Sequence, residues 1–432
     1  MLFFANLGSS FINLTTVSAV VENHRYGAVA SYTEDSDLID DFYQVYEMYC
    51  YKNNIKSTIF TAQEFINQSV SLDIESAGRL RHELYHRADL NPTAAGLNSE
   101  KIWFNNVFSR KPSVLSYRNG VHNHSDLLKD LVIAGRNSDA KLDRLSDGDS
   151  YFGIGLGLPN NVPVSSNWID RANTTRIWET SGNDATSLAY CMSQLSKTIN
   201  NNGWHNNFMH ARDPHTAGKL DYTDWWLNAV NSQIGSNFVW RTSYGEAVEY
   251  AYFRSLITNV TAALSGNSIS IVVKKSSYVN HDLISVPISV KIDTTGTTLE
   301  GKDFITNSVG IRKVSANIFV VDIAKGVNGG DITATLTETT TPSYYNFNLP
   351  AIVTATVNGD VLTVVTDIPT KVSTWIADRG ALQKTALLNK RSNTLQTTHV
   401  ITLNAGDTAK DIYISLLSKE EQSILSNAYQ FI

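Results

Sequence analysis

The segment RHELYHRADLN carries His82 and His86 four residues apart, followed by Asp89 and Leu90. On a helix or a tight turn this spacing puts both imidazoles on one face, close enough to share one divalent ion. The alternative is a pair of surface histidines on a charged helix. Other chemistry-bearing residues crowd the same part of the chain. Eight of the ten His, seven of the eight Trp and both Cys precede Phe253, and Val, Ile, Thr, Ser and Asn dominate the rest. Any chemistry is therefore expected in the first part. His122 and His124 read as loop residues and as substitutes should His82 or His86 fail as ligands. Trp103, Trp168, Trp204, Trp225 and Trp226 suit sugar stacking where exposed and core packing where buried.

Apolar strand-like runs alternate with helical patterns before Phe253, the arrangement of an α/β domain. GAVASYT (Gly27 to Thr33) reads as a buried strand, and Leu38, Ile39, Phe42, Val45 and Tyr49 recur at helical spacing after a cap at Ser36 or Asp37. STIFTA (Ser57 to Ala62) is the next strand. Leu188, Cys191, Leu195 and Ile199 mark a further helix, and two more are expected near Thr223 to Ile234 and Tyr244 to Leu256. After Thr258 the pattern changes to period-2 runs, ISIVVKK, ISVPISVKI, NIFVVDI and DITATLTE, set between turns as in an antiparallel sandwich. A second β unit is expected after Pro342, with Asn358-Gly359 as a type I′ hairpin turn.

With 432 residues the chain exceeds one hydrophobic core, so two or three domains are expected. A net charge of -6 without clustered Lys and Arg argues against nucleic-acid binding. Two cysteines, Cys50 and Cys191, supply neither a disulfide framework nor a cysteine-rich metal site. The opening MLFFANLGSSF lacks a basic n-region and a clear cleavage site, so it is not read as a signal peptide. No run approaches the roughly 18 to 20 apolar residues of a membrane span, which predicts a soluble chain.

Four ordered segments carry a resemblance: VASYTED (Val29 to Asp35), the helix after it, IKSTIF (Ile55 to Phe60), and His82 to Leu90. Over roughly Tyr26 to Arg254 the chain resembles NodB-type polysaccharide deacetylases, carbohydrate esterase family four. The ungapped match implies Asp35, His82 and His86 as ligands of a divalent ion, zinc by the family's pattern. It places Glu34 on the catalytic-base position, where the family carries aspartate, with Asp37 as a rival two residues on. SYRNGV (Ser116 to Val121) matches the third motif in its arginine, so Arg118 would hold the catalytic carboxylate and a backbone N–H near Val121 the oxyanion. NNFMHARD (Asn206 to Asp213) puts His210 at the general acid. Asp221 to Trp225 spells the family's acid-orienting motif, but out of order, and so reads as an acidic helix start rather than as that motif.

The resemblance implies an α/β fold, a distorted (β/α) barrel of the NodB type over 1–257, followed by one or two antiparallel β-sandwiches over 258–342 and 343–432. The implied activity is metal-dependent removal of acetyl groups from a polysaccharide, as N- or O-deacetylation. The expected partner is an acetylated polysaccharide or cell-surface glycan, with assembly into a homo-oligomer or larger particle. An extracellular, cell-surface or virion location follows. The rival reading is a catalytically weakened carbohydrate-binding or virion fibre protein that keeps a deacetylase-like domain.

Overall fold

The computed structural model describes residues 16–21, 28–35, 40–86, 93–117, 132–136, 174–176, 184–200, 204–209, 221–278, 280–380 and 387–431. After β1 (Thr16–Val21), strands and helices alternate through β2 (Ala28–Asp35), α1 (Asp40–Lys52), β3 (Ser57–Thr61), α2 (Gln68–Ala77), β4 (Leu80–His86), α3 (Ala94–Phe108) and β5 (Val114–Tyr117). Then come β6 (Ala134–Arg136), β7 (Thr174–Arg176), α4 (Asp184–Asn200), β8 (Trp204–Met209), α5 (Asp221–Ile234), β9 (Val239–Ser243) and α6 (Tyr244–Ser255). The next seven strands are β10 (Ile257–Ser265), β11 (Ser268–Lys275), β12 (Ile288–Asp293), β13 (Phe304–Thr306), β14 (Gly310–Lys313), β15 (Ile318–Ile323) and β16 (Ile332–Glu338). The last five are β17 (Ile352–Asn358), β18 (Val361–Ala377), β19 (Leu387–Thr402), β20 (Asp411–Ser418) and β21 (Ser423–Leu425).

One compact unit gathers the described residues of 1–25, 256–278 and 287–345. Its strands run in the order β13-β16-β11-β10-β1-β12-β15-β14, every pair antiparallel. β1 joins the two halves: Thr16 and Val17 pair with β10, and Ser18 to Val21 pair with β12. Alternation explains the burial. Ile269, Ile271 and Val273 point inward from β11, and Phe304 meets Phe319 edge to face at 5.0 Å.

The second unit holds the described residues of 26–255, 279–286 and 346–432. Its parallel sheet follows the order β6-β5-β4-β3-β2-β8-β7, with β9 also beside β2. Helices form where the caps permit. Asn67 accepts from the Val70 N–H to start α2, which stops at Gly78 in the left-handed region (φ 92°). Thr93 likewise accepts from the Gly96 N–H before α3. The antiparallel sheet β17-β18-β20-β21, with β19 on β18, belongs to this unit. Trp375 and Leu417 enter one core with Tyr46, Tyr51 and Ile74, and Arg391 grips buried Glu47 with two hydrogen bonds of 3.1 and 2.9 Å.

These observations correct the expected fold class. The chain is not a helix-rich (β/α) barrel with sandwiches appended: strand outweighs helix, 42% to 27%, and six α-helices are described. Two of the three sheets are antiparallel throughout. The contact units also depart from 1–257, 258–342 and 343–432. β1 is claimed by distant antiparallel partners, and the residues after 346 bury apolar surface on α1 and α2. The hairpin of β17 and β18 turns on Gly359-Asp360, not Asn358-Gly359, because Asn358 pairs with Val361. Gly359 has φ 58° and Asp360 has no positive φ, the backbone pattern of a II′ turn.

Candidate functional site

The histidine pair lies on a strand, not on a helix or turn. In β4, Leu80, His82, Leu84 and His86 alternate with Arg81, Glu83 and Tyr85, and all four of the first set are buried. Four strand residues span about 13 Å, whereas two nitrogens on one zinc ion lie about 3–3.5 Å apart. Each ring is also held by a different helix. His82 Nδ1 lies 3.0 Å from Glu75 Oε2 on α2, and its ring stacks on Phe108 at 4.9 Å. His86 Nδ1 lies 2.6 Å from Glu100 Oε2 on α3. His82 and His86 are therefore too far apart along β4 to share one ion. Among the described residues no group of three His, Cys, Asp or Glu is gathered for a metal. Burial works against the Glu75 carboxylate, but the His82 hydrogen bond and the Arg110 guanidinium outweigh it and hold its pKa at about 2.

Parallel sheets present reacting groups at the carboxyl ends of their strands, above all where the strand order reverses. That reversal occurs at β2: β3 to β6 step away on one side, and β8 and β7 lie on the other. β2 ends at Asp35 and β4 at His86. β5 ends at Tyr117, the residue before Arg118, and β8 at Met209, the residue before His210. Arg118 and His210, with His122, His124, Asp37, Asp89, Val121, Asp213 and Trp168, lie outside the described residues. In register, Glu34 pairs with Met209 on one side and Ile59 on the other, and Ile59 pairs with His82. Asp35 sits one level on, beside Phe60, which pairs with Glu83. The expected base thus lies at the reversal on the strand beside β8, whose last residue, Met209, precedes His210 in the sequence.

The amino ends of the strands are built differently. A cavity of about 520 Å³ there is lined by Lys56, Glu75, Arg81 and Arg110, among others. Its charges are paired: Lys56 with Glu246 at 2.6 Å, Arg110 with Glu75 at 2.8 Å, and Arg81 with Glu83 at 2.8 Å and with Glu249. Glu83 also accepts from the Ser113 and Val114 N–H groups, and Glu249 from Ser285 N–H and Oγ. This network is structural, because each buried charge meets a partner. Asp221 to Trp225 opens α5, where Asp224 accepts from Lys52 at 2.5 Å and from Asn53 at 3.0 Å. Of the tryptophans, Trp226 and Trp204 are buried and Trp225 is 40% exposed.

His205, on β8, was not marked by the sequence pattern. It is fully buried, with Nε2 3.2 Å from Asn207 Oδ1 and no partner for Nδ1 among the described residues. Burial pushes its pKa down to about 4, only partly offset by the Asn207 hydrogen bond. The fold thus holds the neutral ring, so its stabilising effect is complete above the ordinary value near 6.5 and is lost as pH falls toward 4. The loss reaches about 3 kcal/mol. Urea unfolding at pH 7, 5.5 and 4.2 should show this decline, and His205→Gln should flatten it; an equally steep decline in the variant would remove His205 as its source.

Glu75 and Glu100, which orient the two histidines, also escaped notice, since each lies on a separate helix at no fixed spacing from its ring. Arg136 and Arg176 end β6 and β7 on the same side as Asp35, and nothing in their flanking sequence marks them. No protein-family model and no curated protein matches the chain. Among solved structures, it is similar to a β-glucuronidase of Parabacteroides merdae crystallised with glycerol in its active site. The two are 8% identical with a TM-score of 0.26, over 95% of this chain and 63% of that one. At that score the likeness carries no weight for fold or function.

Proposed function

We propose that this chain hydrolyses acetyl groups on a polysaccharide, as esters or amides, with the reacting groups at the carboxyl ends of β2 and β8. The observation that carries the reading is the pairing of Glu34 with Met209, the residue before His210, at the reversal of strand order. Glu34 takes the proton of the attacking water, and the tetrahedral intermediate then collapses as His210 protonates the departing amine or alcohol. Arg118 positions the carboxylate. No step is assigned to a metal ion, because His82 and His86 stand about 13 Å apart along β4. The expected partner is an acetylated polysaccharide or cell-surface glycan. No helix among the described residues is long and apolar enough to cross a membrane.

The rival reading, a glycan-binding surface or virion protein without turnover, draws on that same separation of His82 and His86. Acetate release from N-acetylated chitopentaose and from an activated aryl acetate separates the two. His210→Ala should slow the amide about 100-fold or more and the activated ester far less, because a good leaving group needs little protonation. Equal losses on both substrates would remove His210 as the acid. Glycan binding with no acetate from the wild type would favour the rival.

A further inference from the structure

A second cavity, of about 480 Å³, opens in the same unit at the amino ends of β9 and β3, the opposite end of the parallel strands from Asp35. β2 alone is about 23 Å long, so this cavity is no part of the proposed reacting centre. Its volume falls within the range of small-molecule sites.

The lining has two components. Phe238 and Phe347 meet edge to face, with ring centroids 4.8 Å apart and planes at 88°. Both rings are half-buried and both line the cavity. Around them stands a set of amides already fixed by the scaffold. Asn54 donates to Gln422 Oε1 at 3.1 Å and accepts from the Ser423 N–H at 2.9 Å. Arg241 donates to Asn231 Oδ1 and to the Asn54 carbonyl oxygen. Asn237 donates through Nδ2 to the Ile234 carbonyl at 2.8 Å.

Each of two amides therefore spends one end on the protein and keeps the other. Asn231 uses its oxygen and keeps its NH₂ group; Asn237 uses its NH₂ group and keeps its oxygen. Neither remaining end has a partner among the described residues. A donor and an acceptor lining one cavity suit a ligand rich in hydroxyls, since every hydroxyl both donates and accepts. No Asp or Glu among the described residues lines the cavity, and Lys52 is engaged by Asp224 at 2.5 Å. The chemistry suits a ligand with an apolar C–H face and a hydroxyl-rich edge.

We infer that this cavity is a second glycan-binding site, in which a pyranose ring packs on Phe238 and Phe347 while Asn231 and Asn237 read its hydroxyls. Because the amides are held before any ligand arrives, little side-chain ordering opposes binding. The site concerns binding only and stands whether or not the chain turns over acetyl groups. On a long polymer it would raise the local concentration of substrate at the far end of the strands.

Hydrogen exchange with chitopentaose, cellopentaose and maltopentaose tests the inference on the full chain. At least one pentasaccharide should protect residues 235–239 and 422–424. Phe347→Ala should weaken that binding about tenfold, and Phe347→Trp, which keeps an aromatic face, should retain it within about threefold. Phe347→Ala should leave acetate release from a short acetylated substrate unchanged. No protection by any of the three at millimolar concentration would overturn the site, as would protection equal in wild type and Phe347→Ala. Absence of acetate release in every variant, with this protection intact, would count against the hydrolytic reading alone.

Discussion

Glu34→Gln is expected to lower acetate release about 100-fold or more while leaving thermal unfolding unchanged. Glutamine keeps the size of the side chain and a hydrogen-bonding oxygen but takes no proton, so the change isolates base catalysis from shape. The register sharpens the comparison with its neighbour. Glu34 pairs with Met209 and Ile59, whereas Asp35 sits one level on beside Phe60. Asp35→Asn, measured in parallel, should therefore give a different loss if only one of the two carboxylates is the base. The decisive measurement is the initial rate at saturating acetylated oligosaccharide, with folding matched by melting temperature. Equal acetate release by wild type and Glu34→Gln would move the base to Asp37.

Arg81→Met is expected to cost about 3–5 kcal/mol of stability, the largest effect of any single substitution considered. One guanidinium serves two fully buried carboxylates: Nε donates to Glu83 Oε1 at 2.8 Å, and Nη2 donates to Glu249 and to Ser113 Oγ. Burial pushes the Glu83 carboxyl up, and the Arg81 and Arg110 charges are the counterweights. Without Arg81, two like charges remain in a dry site that also leaves no slack. A β-carbon added at Gly245 would stand 2.6 Å from Glu83 Oε1. Urea unfolding at neutral pH measures the loss. The triple variant Arg81→Met, Glu83→Gln, Glu249→Gln should recover a large part of it, because the uncompensated charges go with the arginine. A triple variant no more stable than Arg81→Met would show that packing, not charge, sets the cost.

Several elements are legible in the sequence because their patterns are local. Apolar residues alternate with polar ones in β16 and through most of β11, and Leu188, Cys191, Leu195 and Ile199 share one face of α4. The histidine pair is misread for a physical reason: residues four apart share a face on a helix and on a strand alike. The alternation of Leu80, His82, Leu84 and His86 with charged neighbours is the signal that favours the strand. Partner choice over long distances is not legible. Nothing near Thr16 announces β10 and β12, and Glu47 meets Arg391 across a separation of 344 residues. For the candidate site, the sequence points to the ends of β2, β4, β5 and β8, but not to the carboxylates that hold His82 and His86. Those contacts depend on how α2 and α3 lie on the sheet.

The placement of β1 has a consequence for synthesis on the ribosome. The strand TVSAVV leaves the exit tunnel well before β10 and β12 exist to receive it. At roughly 5–20 residues per second the wait is on the order of ten seconds or longer. Throughout it, a short β-branched segment is without its hydrogen-bonding partners, the kind of segment that pairs with the wrong neighbour. The second unit waits as well, since Trp375, Arg391 and Leu417 follow their partners on α1 and α2 by about 300 residues or more. Neither unit can be completed early, and a shortened chain ending near Thr258 would leave both unfinished.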